Sequence, residues 1–390
     1  MKMICMLLNG SILNDSRVIK TIKTLSEKNS VDLFYIGGTA EDKSLFNQNV
    51  RLNNSEHKTS SLKTKIIKHS LFYNEFLFFV KEVLKQEKQY DYIYANDLPC
   101  LKPAVLLGGK LNSKVIYDAH EIYTETINQF FPQRAPFFKR MIFSVLITFM
   151  KYVGVKIERK YLKSVDHFIT VGVGLKCYFE KKYYFENIKV VMNCPTRTPI
   201  LDKINYFKLL GVKHDSFLLL YQGVLNEGRG LRLLINAMEN TMPEVVLVII
   251  GYGVLEETLN KLVVQKALQK KVIFLGKVDA DKLNLYTTGV HCGINLLEPI
   301  NQSKALAAPN KLFQYIQASI PVIASYSFEN NIVFDKYSIG VLTENNSGNI
   351  ADAINKMAIS DRSVYIENCK KAALEYNWEN QEKNLLSVFE

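Results

Sequence analysis

Cysteine, histidine and tryptophan are scarce in this chain: 390 residues include six Cys, six His and a single Trp. Cys5, Cys100, Cys177, Cys194, Cys292 and Cys369 share no CxxC spacing. That excludes a zinc-ribbon site and a disulfide framework, and reads these residues as small buried apolar side chains in a reducing compartment. Internal repeats and low-complexity tracts are also missing. The longest membrane-like stretch, Met141–Met150, is roughly half of what a bilayer span requires. The apolar run Met3–Leu8 ends at Asn9-Gly10 with no small-residue cleavage pattern, so a first buried strand is expected there, not a signal peptide, and the chain is expected in the cytoplasm.

What the chain does have is apolar material and positive charge. Apolar residues make up 48%, enough for two cores of ordinary size at this length. Lys plus Arg number 49 against 38 Asp plus Glu, a net charge of +11, which implies acidic partners such as phosphates, anionic lipid or nucleic acid. No aromatic-interleaved basic motif of a known nucleic-acid module is present, so no nucleic-acid partner is expected.

Short apolar runs alternate with segments of helical period. Met3–Leu8, Val31–Ile36, Tyr92–Ala95, Val115–Tyr117, His167–Val171 and Val190–Met192 occupy the first half. After a polar, proline-containing stretch to about Lys213, the pattern restarts with Phe217–Tyr221, Val245–Ile250, Val272–Leu275, Cys292–Leu296 and Val322–Ala324. This is the βαβ signature of an α/β protein with parallel sheets, and the restart predicts two separate doubly wound domains. Asn14-Asp15-Ser16 offers an N-cap to a helix carrying Val18, Ile19, Ile22 and Leu25 on one face. Between Gly37 and Gln89 the pattern is less regular, with an aromatic helix near Leu71–Leu84. Tyr376-Asn377-Trp378 opens a terminal helix.

Two features of the second half point to a diphosphate. The Gly-rich turn Tyr221-Gln222-Gly223-Val224-Leu225-Asn226-Glu227-Gly228-Arg229-Gly230 follows a strand, and Pro309-Asn310-Lys311 opens a helix. Each would set backbone N–H groups and one cation, Arg229 or Lys311, at a helix start, a placement that is unfavourable without an anion. Gly251 and Gly253, at the end of the strand Val245–Ile250, would let phosphates or ribose approach the backbone, although a tight strand-to-helix turn explains them equally well. A dehydrogenase fingerprint would need a third glycine near Glu256 and an acid after the next strand, where Phe274-Leu275-Gly276 stands instead, so NAD is disfavoured.

Three further motifs carry alternatives. Asp118-Ala119-His120-Glu121 lies at a strand's C-terminal end, where open α/β sheets bind ligands; a capping aspartate and a satisfied histidine are the plain reading. Asp279-Ala280-Asp281 has metal-binding spacing but precedes a helical segment, so helix capping is favoured and no metal is assigned. Residues 137–163 carry seven basic residues and one acid around Met141–Met150, with Arg140, Ser144, Thr148 and Lys151 as a narrow polar stripe. That segment is either a basic amphipathic helix for an anionic membrane surface or a core helix with a solvated end.

Taken together, these segments resemble the retaining glycosyltransferases of family 4, with the GT-B fold, and the resemblance spans nearly the whole chain. Asn14-Asp15-Ser16-Arg17-Val18, Tyr117-Asp118-Ala119-His120-Glu121, Val190-Val191-Met192-Asn193 and Tyr376-Asn377-Trp378 match successive family segments. It implies an acceptor domain at 1–195, a nucleotide-sugar domain at 196–374 facing it across a cleft, and a helix at 375–390 returning to the first domain. In the family's G-R-L-x-x-E-K-G pattern, Arg229 stands at the phosphate-binding lysine and Val224 at the usual arginine. In P-N-K-L-F-E-Y, Asn310 and Lys311 are kept, and Gln314 replaces the glutamate that bonds the ribose. Leu306 stands where a second glutamate is expected, and Glu298 is the nearest acid to the donor sugar. The resemblance further implies that Gly10 and Gly223 admit the donor, the backbone at Lys277 and Val278 reads the base, and His120 orients a donor or acceptor hydroxyl. The expected activity is metal-independent sugar transfer from a nucleoside diphosphate sugar, without cofactor, to a glycan or lipid-linked hydroxyl in polysaccharide biosynthesis, at the inner face of the plasma membrane. A nucleotide-sugar epimerase and a non-catalytic partner subunit are the alternatives.

Overall fold

The computed structural model describes residues 1–38, 40–55, 77–131, 136–197, 203–279 and 282–390. The chain divides into two compact units, Met1–Asn193 with Glu382–Glu390, and Cys194–Gln381.

In the first unit the chain runs β1 (Met3–Leu8), α1 (Ser16–Ser26), β2 (Ser30–Ile36), β3 (Val50–Ser55), β4 (Tyr92–Asn96), α2 (Asp97–Leu111), β5 (Lys114–Ala119), α3 (Phe137–Leu162), β6 (His167–Thr170) and β7 (Lys189–Val190). The sheet order is β3-β2-β1-β4-β5-β6-β7, parallel throughout. Strands covered on both faces read as unbroken apolar runs, and β1 has five of its six residues buried. Asp15 caps α1 by accepting from the N–H groups of Arg17 and Val18, both at 3.1 Å.

The second unit repeats the plan with β8 (Phe217–Gln222), α4 (Leu231–Ala237), β9 (Val245–Ile250), α5 (Glu256–Gln265), β10 (Val272–Gly276), β11 (Cys292–Asn295), α6 (Asn310–Gln317), β12 (Val322–Ser325), β13 (Gly340–Thr343) and α7 (Trp378–Leu386). Its order is β10-β9-β8-β11-β12-β13, again all parallel. Residues of β8, β9, β11 and α4, among them Leu219, Leu234, Leu247 and Ile294, are fully buried in one core.

Each sheet reverses its winding once, between β1 and β4 in the first and between β8 and β11 in the second. At such a switch point the adjacent crossovers run to opposite faces and leave a crevice outside the strands' carboxyl ends. Both groups of candidate residues follow from this rule.

In the terminal segment, residues 375–381 belong to the second unit and 382–390 to the first. The Trp378 N–H donates to the Pro195 carbonyl at 2.9 Å, and Glu379 Oε1 accepts from the Arg197 N–H at 3.0 Å. Further on, the Phe389 ring lies 4.9 Å from that of Tyr92 and 6.5 Å from that of Tyr94. The chain thus passes between units at 193/194 and again at 381/382.

α3 does not bear out the core-helix reading of its sequence. Only Met150, Gly154, Glu158 and Leu162 are buried, while Phe137, Phe138, Met141, Ile142, Val145, Phe149 and Tyr152 are each 47–78% exposed. The polar stripe Arg140, Ser144, Thr148 and Lys151 instead lines a groove with Phe131, Phe143 and Ile147. It is not a core helix. The expected aromatic helix near Leu71–Leu84 is seen at Phe78–Leu84; residues 71–76 lie outside the described residues.

Phe389→Ala should lower the stability of the first unit by about 3 kcal/mol, the usual cost of emptying a buried aromatic site. Chemical denaturation followed by fluorescence would measure it, and an unshifted midpoint would contradict the packing of the terminal residues.

Candidate functional site

The second unit places Lys311 at the first turn of α6. Its side chain is 5% exposed, and its Nζ has no hydrogen-bond partner among the described residues. The ammonium sits 4.0 Å from the centroid of the Tyr221 ring, a cation–π contact. Burial, then the positive charges of Arg229 and Lys304, push the Lys311 pKa well below its ordinary value. A buried cation that faces two more cations is held at a cost that an anion would remove.

Arg229 and Lys311 are therefore brought together as expected, but the backbone does a different job. The Gly223 N–H donates to the Ile250 carbonyl, Leu225 N–H to Tyr252, and Leu255 N–H to Leu225, at 2.9–3.0 Å. At the head of α4, the Gly230 N–H donates to Glu298 Oε1 at 2.9 Å. These four donors are satisfied within the protein. Glu298 accordingly pins the Gly-rich turn through its carboxylate.

Gly251 and Gly253 pack against the same turn. A Cβ on Gly251 would lie 1.9 Å from the Gly223 carbonyl oxygen, and one on Gly253 would lie 2.5 Å from that of Leu225. Their Cβ sides meet the Gly-rich turn itself, so the tight turn requires glycine at both positions. Gly223, at φ 131°, has open space on its Cβ side.

Gln314 is half-buried and joined to its neighbours. Gln222 Nε2 donates to Gln314 Oε1 at 2.8 Å, and the Thr287 hydroxyl lies 2.7 Å from Gln222 Oε1 and 2.8 Å from the Leu283 carbonyl. Thr287 has one proton for those two acceptors. Turning both amides over satisfies all four groups: Thr287 donates to Leu283, Gln222 Nε2 to Thr287, and Gln314 Nε2 to Gln222, which leaves Gln314 Oε1 free to accept, as a glutamate would. Lys277 and Val278 follow the edge strand β10, and Lys277 Nζ lies 5.4 Å from the Tyr252 ring centroid. Asn310 is exposed at the start of α6. Asp279 pairs with Lys282 at 3.5 Å, and Lys282, at the head of the next helix, receives no side-chain cap. Ala280 and Asp281 lie outside the described residues.

The first unit gathers a second cluster at the C-terminal ends of β1, β4 and β5. Arg17, 3% exposed, bonds both Asp118 oxygens, at 2.7 and 3.2 Å, and also the Val191 carbonyl. Tyr94 donates to Asp118 at 2.7 Å. Burial opposes the Asp118 charge, but Arg17 and His120 outweigh it and hold the carboxyl below its ordinary range. His120 lies above this pair, with Nε2 3.3 Å from Asp118 and Nδ1 3.4 Å from Asp97. Burial would lower the imidazole pKa; Asp97 and Asp118 overcome it and raise it to about 9. For Asp97 burial wins over the pull of His120, and its pKa rises to about 7. A quarter of that side chain stays open, so the carboxyl is reachable from solvent.

Asp97 and Asn96 were missed in the sequence. The available signal was a polar pair directly after the apolar strand Tyr92–Ala95. Gly10 and Ser11 belong to the same place: with Leu8, Asn9, Asp15, Asn96, Asp97, Pro99 and Tyr123 they line a cavity of about 240 Å³.

Residues 202–375 match the family described as glycosyl transferases group 1. An uncharacterized glycosyltransferase of Methanocaldococcus jannaschii is 29% identical over 198 residues, 48% of each chain, so the matched segment spans about half the length of that curated relative. Among solved structures, Anabaena HepE in complex with UDP superposes with a TM-score of 0.72 at 16% identity, covering 100% of this chain and 99% of its own. Sucrose-phosphate synthase from Thermosynechococcus elongatus gives 0.76 at 15% identity, covering 100% and 98%. The fold is that of the GT-B glycosyltransferases, two parallel-sheet α/β domains in one chain.

Folded pKa values of Asp97 and His120 both exceed their ordinary 3.8 and 6.5. Each contribution is therefore present at low pH and lost as pH rises, the first between about 4 and 7 and the second between about 6.5 and 9. The melting temperature should fall from pH 6.5 to 9, and His120→Gln should flatten that fall. An equal slope in both proteins would contradict the pairing.

Proposed function

We propose that the chain, whose residues 202–375 match the family described as glycosyl transferases group 1, transfers a sugar from a nucleoside diphosphate sugar to a hydroxyl of a lipid-linked glycan. Lys311 carries this reading: a buried ammonium, unpaired among the described residues and flanked by Arg229 and Lys304, is matched by a diphosphate and not by a neutral or cationic ligand. The leaving diphosphate gathers negative charge as the glycosidic bond breaks. Cations fixed in place before the reaction stabilise that charge without reorganising. Arg229 adds a planar fork that suits phosphate oxygens. Three side-chain cations supply the neutralisation the departing group needs, so the reading requires no metal, and retention of configuration accompanies it by family likeness.

Gln314 Oε1 accepts from a ribose hydroxyl in this reading, and the backbone at Lys277 and Val278 meets the base. Because the Anabaena relative was solved with UDP, UDP is the first nucleotide to test.

The acceptor's lipid follows from α3. Seven large apolar side chains stand in solvent along one helix, with Lys139, Arg140, Lys156, Arg159 and Lys160 exposed among and beyond them. An apolar face rimmed by cations fits the interface of an anionic bilayer. No helix among the described residues is long and apolar enough to cross a membrane. On this reading the chain works at the inner face of the plasma membrane, in cell-surface polysaccharide synthesis.

The non-catalytic alternative draws on Val224, 43% exposed where the family carries a cation. Turnover decides between them. Arg229→Ala and Lys311→Met should each lower sugar release from the preferred donor by about 100-fold or more, as expected for losing one preorganised charge contact. They should also shrink the UDP-induced rise in melting temperature. Unchanged turnover in both variants would refute the assignment. Separately, Val145→Glu with Ile142→Glu should abolish sedimentation with vesicles containing phosphatidylglycerol, and neutral vesicles should bind the wild type weakly. Equal binding by the variant would remove α3 from the membrane contact.

A further inference from the structure

α3 is not evenly amphipathic. At about 100° per residue, Phe138, Met141, Ile142, Val145, Phe149 and Tyr152 share one face of the helix, and each is 47–78% exposed. Lys156, Arg159 and Lys160 continue that same face and are exposed as well. The face is therefore divided along its length, apolar up to Tyr152 and cationic from Lys156 on. At the boundary, Lys156 Nζ lies 4.5 Å from the centroid of the Tyr152 ring. Glu158, the one acid of the helix, is buried on the opposite side, where it accepts from the Tyr117 and Tyr183 hydroxyls. No carboxylate of the helix interrupts the exposed face.

The two halves are also held differently. Met150, Gly154, Glu158 and Leu162, spaced four residues apart, are the buried positions of the helix, so its carboxyl-terminal half is anchored on the unit. From Pro136 to Ile142 every residue is exposed, and the next turns rest on Ile127, Phe131 and Met150 through the half-buried Phe143, Leu146 and Ile147. The amino-terminal turns thus stand clear of the unit. Cations crowd at the anchored end: burial, then the charge of Lys160, lower the pKa of Lys102 in α2, and a nearby anion relieves such crowding.

An anionic bilayer satisfies both halves when the helix is inclined. Laid flat, α3 would carry Lys156, Arg159 and Lys160 to the depth of Phe138 and Val145, where an uncompensated charge is costly. Tipped amino end first, it sets the apolar side chains among the acyl chains, Tyr152 at the level that suits an amphipathic ring, and the cations at the lipid phosphates. Lys139 and Arg140 lie more than about 100° from the middle of the apolar face, so their long side chains reach back toward the headgroups.

We propose that α3 enters an anionic membrane obliquely, with its amino-terminal turns in the acyl region and its carboxyl-terminal turns on the lipid phosphates. The bilayer then fixes the orientation of the first unit as well as its location. The proposal rests on the membrane reading of α3 and adds the geometry of the contact.

Depth-dependent fluorescence quenching on the full chain tests it. Phe138→Trp, Val145→Trp and Tyr152→Trp each place an indole at an exposed site, so their melting temperatures should match the wild type, and Trp378, 5% exposed in the second unit, gives a constant background. The vesicles contain phosphatidylglycerol with phosphatidylcholine brominated either near the headgroup or deep in the chain. Positions 138 and 152 lie about 21 Å apart along the axis, so a tilt of about 30° separates their depths by about 10 Å. The ratio of deep to shallow quenching should fall from position 138 through 145 to 152. Lys156→Gln with Lys160→Gln should weaken vesicle binding by about 30-fold, as expected for losing two cations near an anionic surface. Equal ratios at the three positions, a ratio that rises toward 152, or undiminished binding by the lysine double variant would overturn the proposal and leave the membrane reading standing. No co-sedimentation of the wild type with these vesicles, or a vesicle-free dimer that Val145→Glu dissociates, would refute both.

Discussion

An ammonium taken out of water and given no acceptor is among the least favourable arrangements a folded chain can hold, and among the described residues Lys311 has none. Its cost is reduced by the Tyr221 ring, and burial with the neighbouring cations lowers its pKa, which leaves a site that gains stability when an anion enters. The surrounding structure keeps that arrangement in place. α6 fixes the lysine, β8 supplies Tyr221 and the turn that carries Arg229, and Glu298 fastens the turn at Gly230. The turn in turn rests on Gly251 and Gly253, whose missing Cβ atoms let two loops touch backbone to backbone. Binding energy is thereby concentrated in a few fixed charges, the form in which it best stabilises a leaving group.

The two units apply one topological rule to opposite chemistry. In each, crossovers leave the loops after the central strands beside a switch point, and the residues in those loops decide what can bind there. After β8 and β11 the loops bring cations; after β1 and β4 they bring carboxylates and an unpartnered amide oxygen. The Arg17–Asp118 pair, buried and bonded by Tyr94 as well, sets the platform on which His120 sits. Removing either charge would strand the other, so the pair is best seen as a support for the pocket.

The alternation of apolar runs made the parallel sheets legible, because strands buried on both faces cannot hide their composition. β3 and β13 escaped for the same reason in reverse: Val50–Ser55 has four polar residues in six, and Gly340–Thr343 is four residues long, as suits edge strands with one open side. Arg229 and Lys311 were legible because a cation at a helix start conflicts with the backbone's own polarity. The roles of Gly251, Gly253 and Glu298 were not, since sequence cannot tell a glycine that admits a ligand from one that admits another loop. For α3, composition allowed both a core and an interfacial helix, and only the position of Met150, Gly154, Glu158 and Leu162 showed which side is covered.

The central claim is that the Lys311 site awaits a diphosphate. Calorimetry of UDP binding to the wild type and to Lys311→Met, in two buffers with different ionisation enthalpies, tests it most directly. Burial and the neighbouring cations lower the Lys311 pKa and a bound anion raises it again, so across the pH range in which Lys311 titrates UDP binding should take up protons and weaken as pH rises, and both effects should vanish in the variant. UDP binding with no proton uptake in the wild type, or with the same uptake in Lys311→Met, would contradict the account.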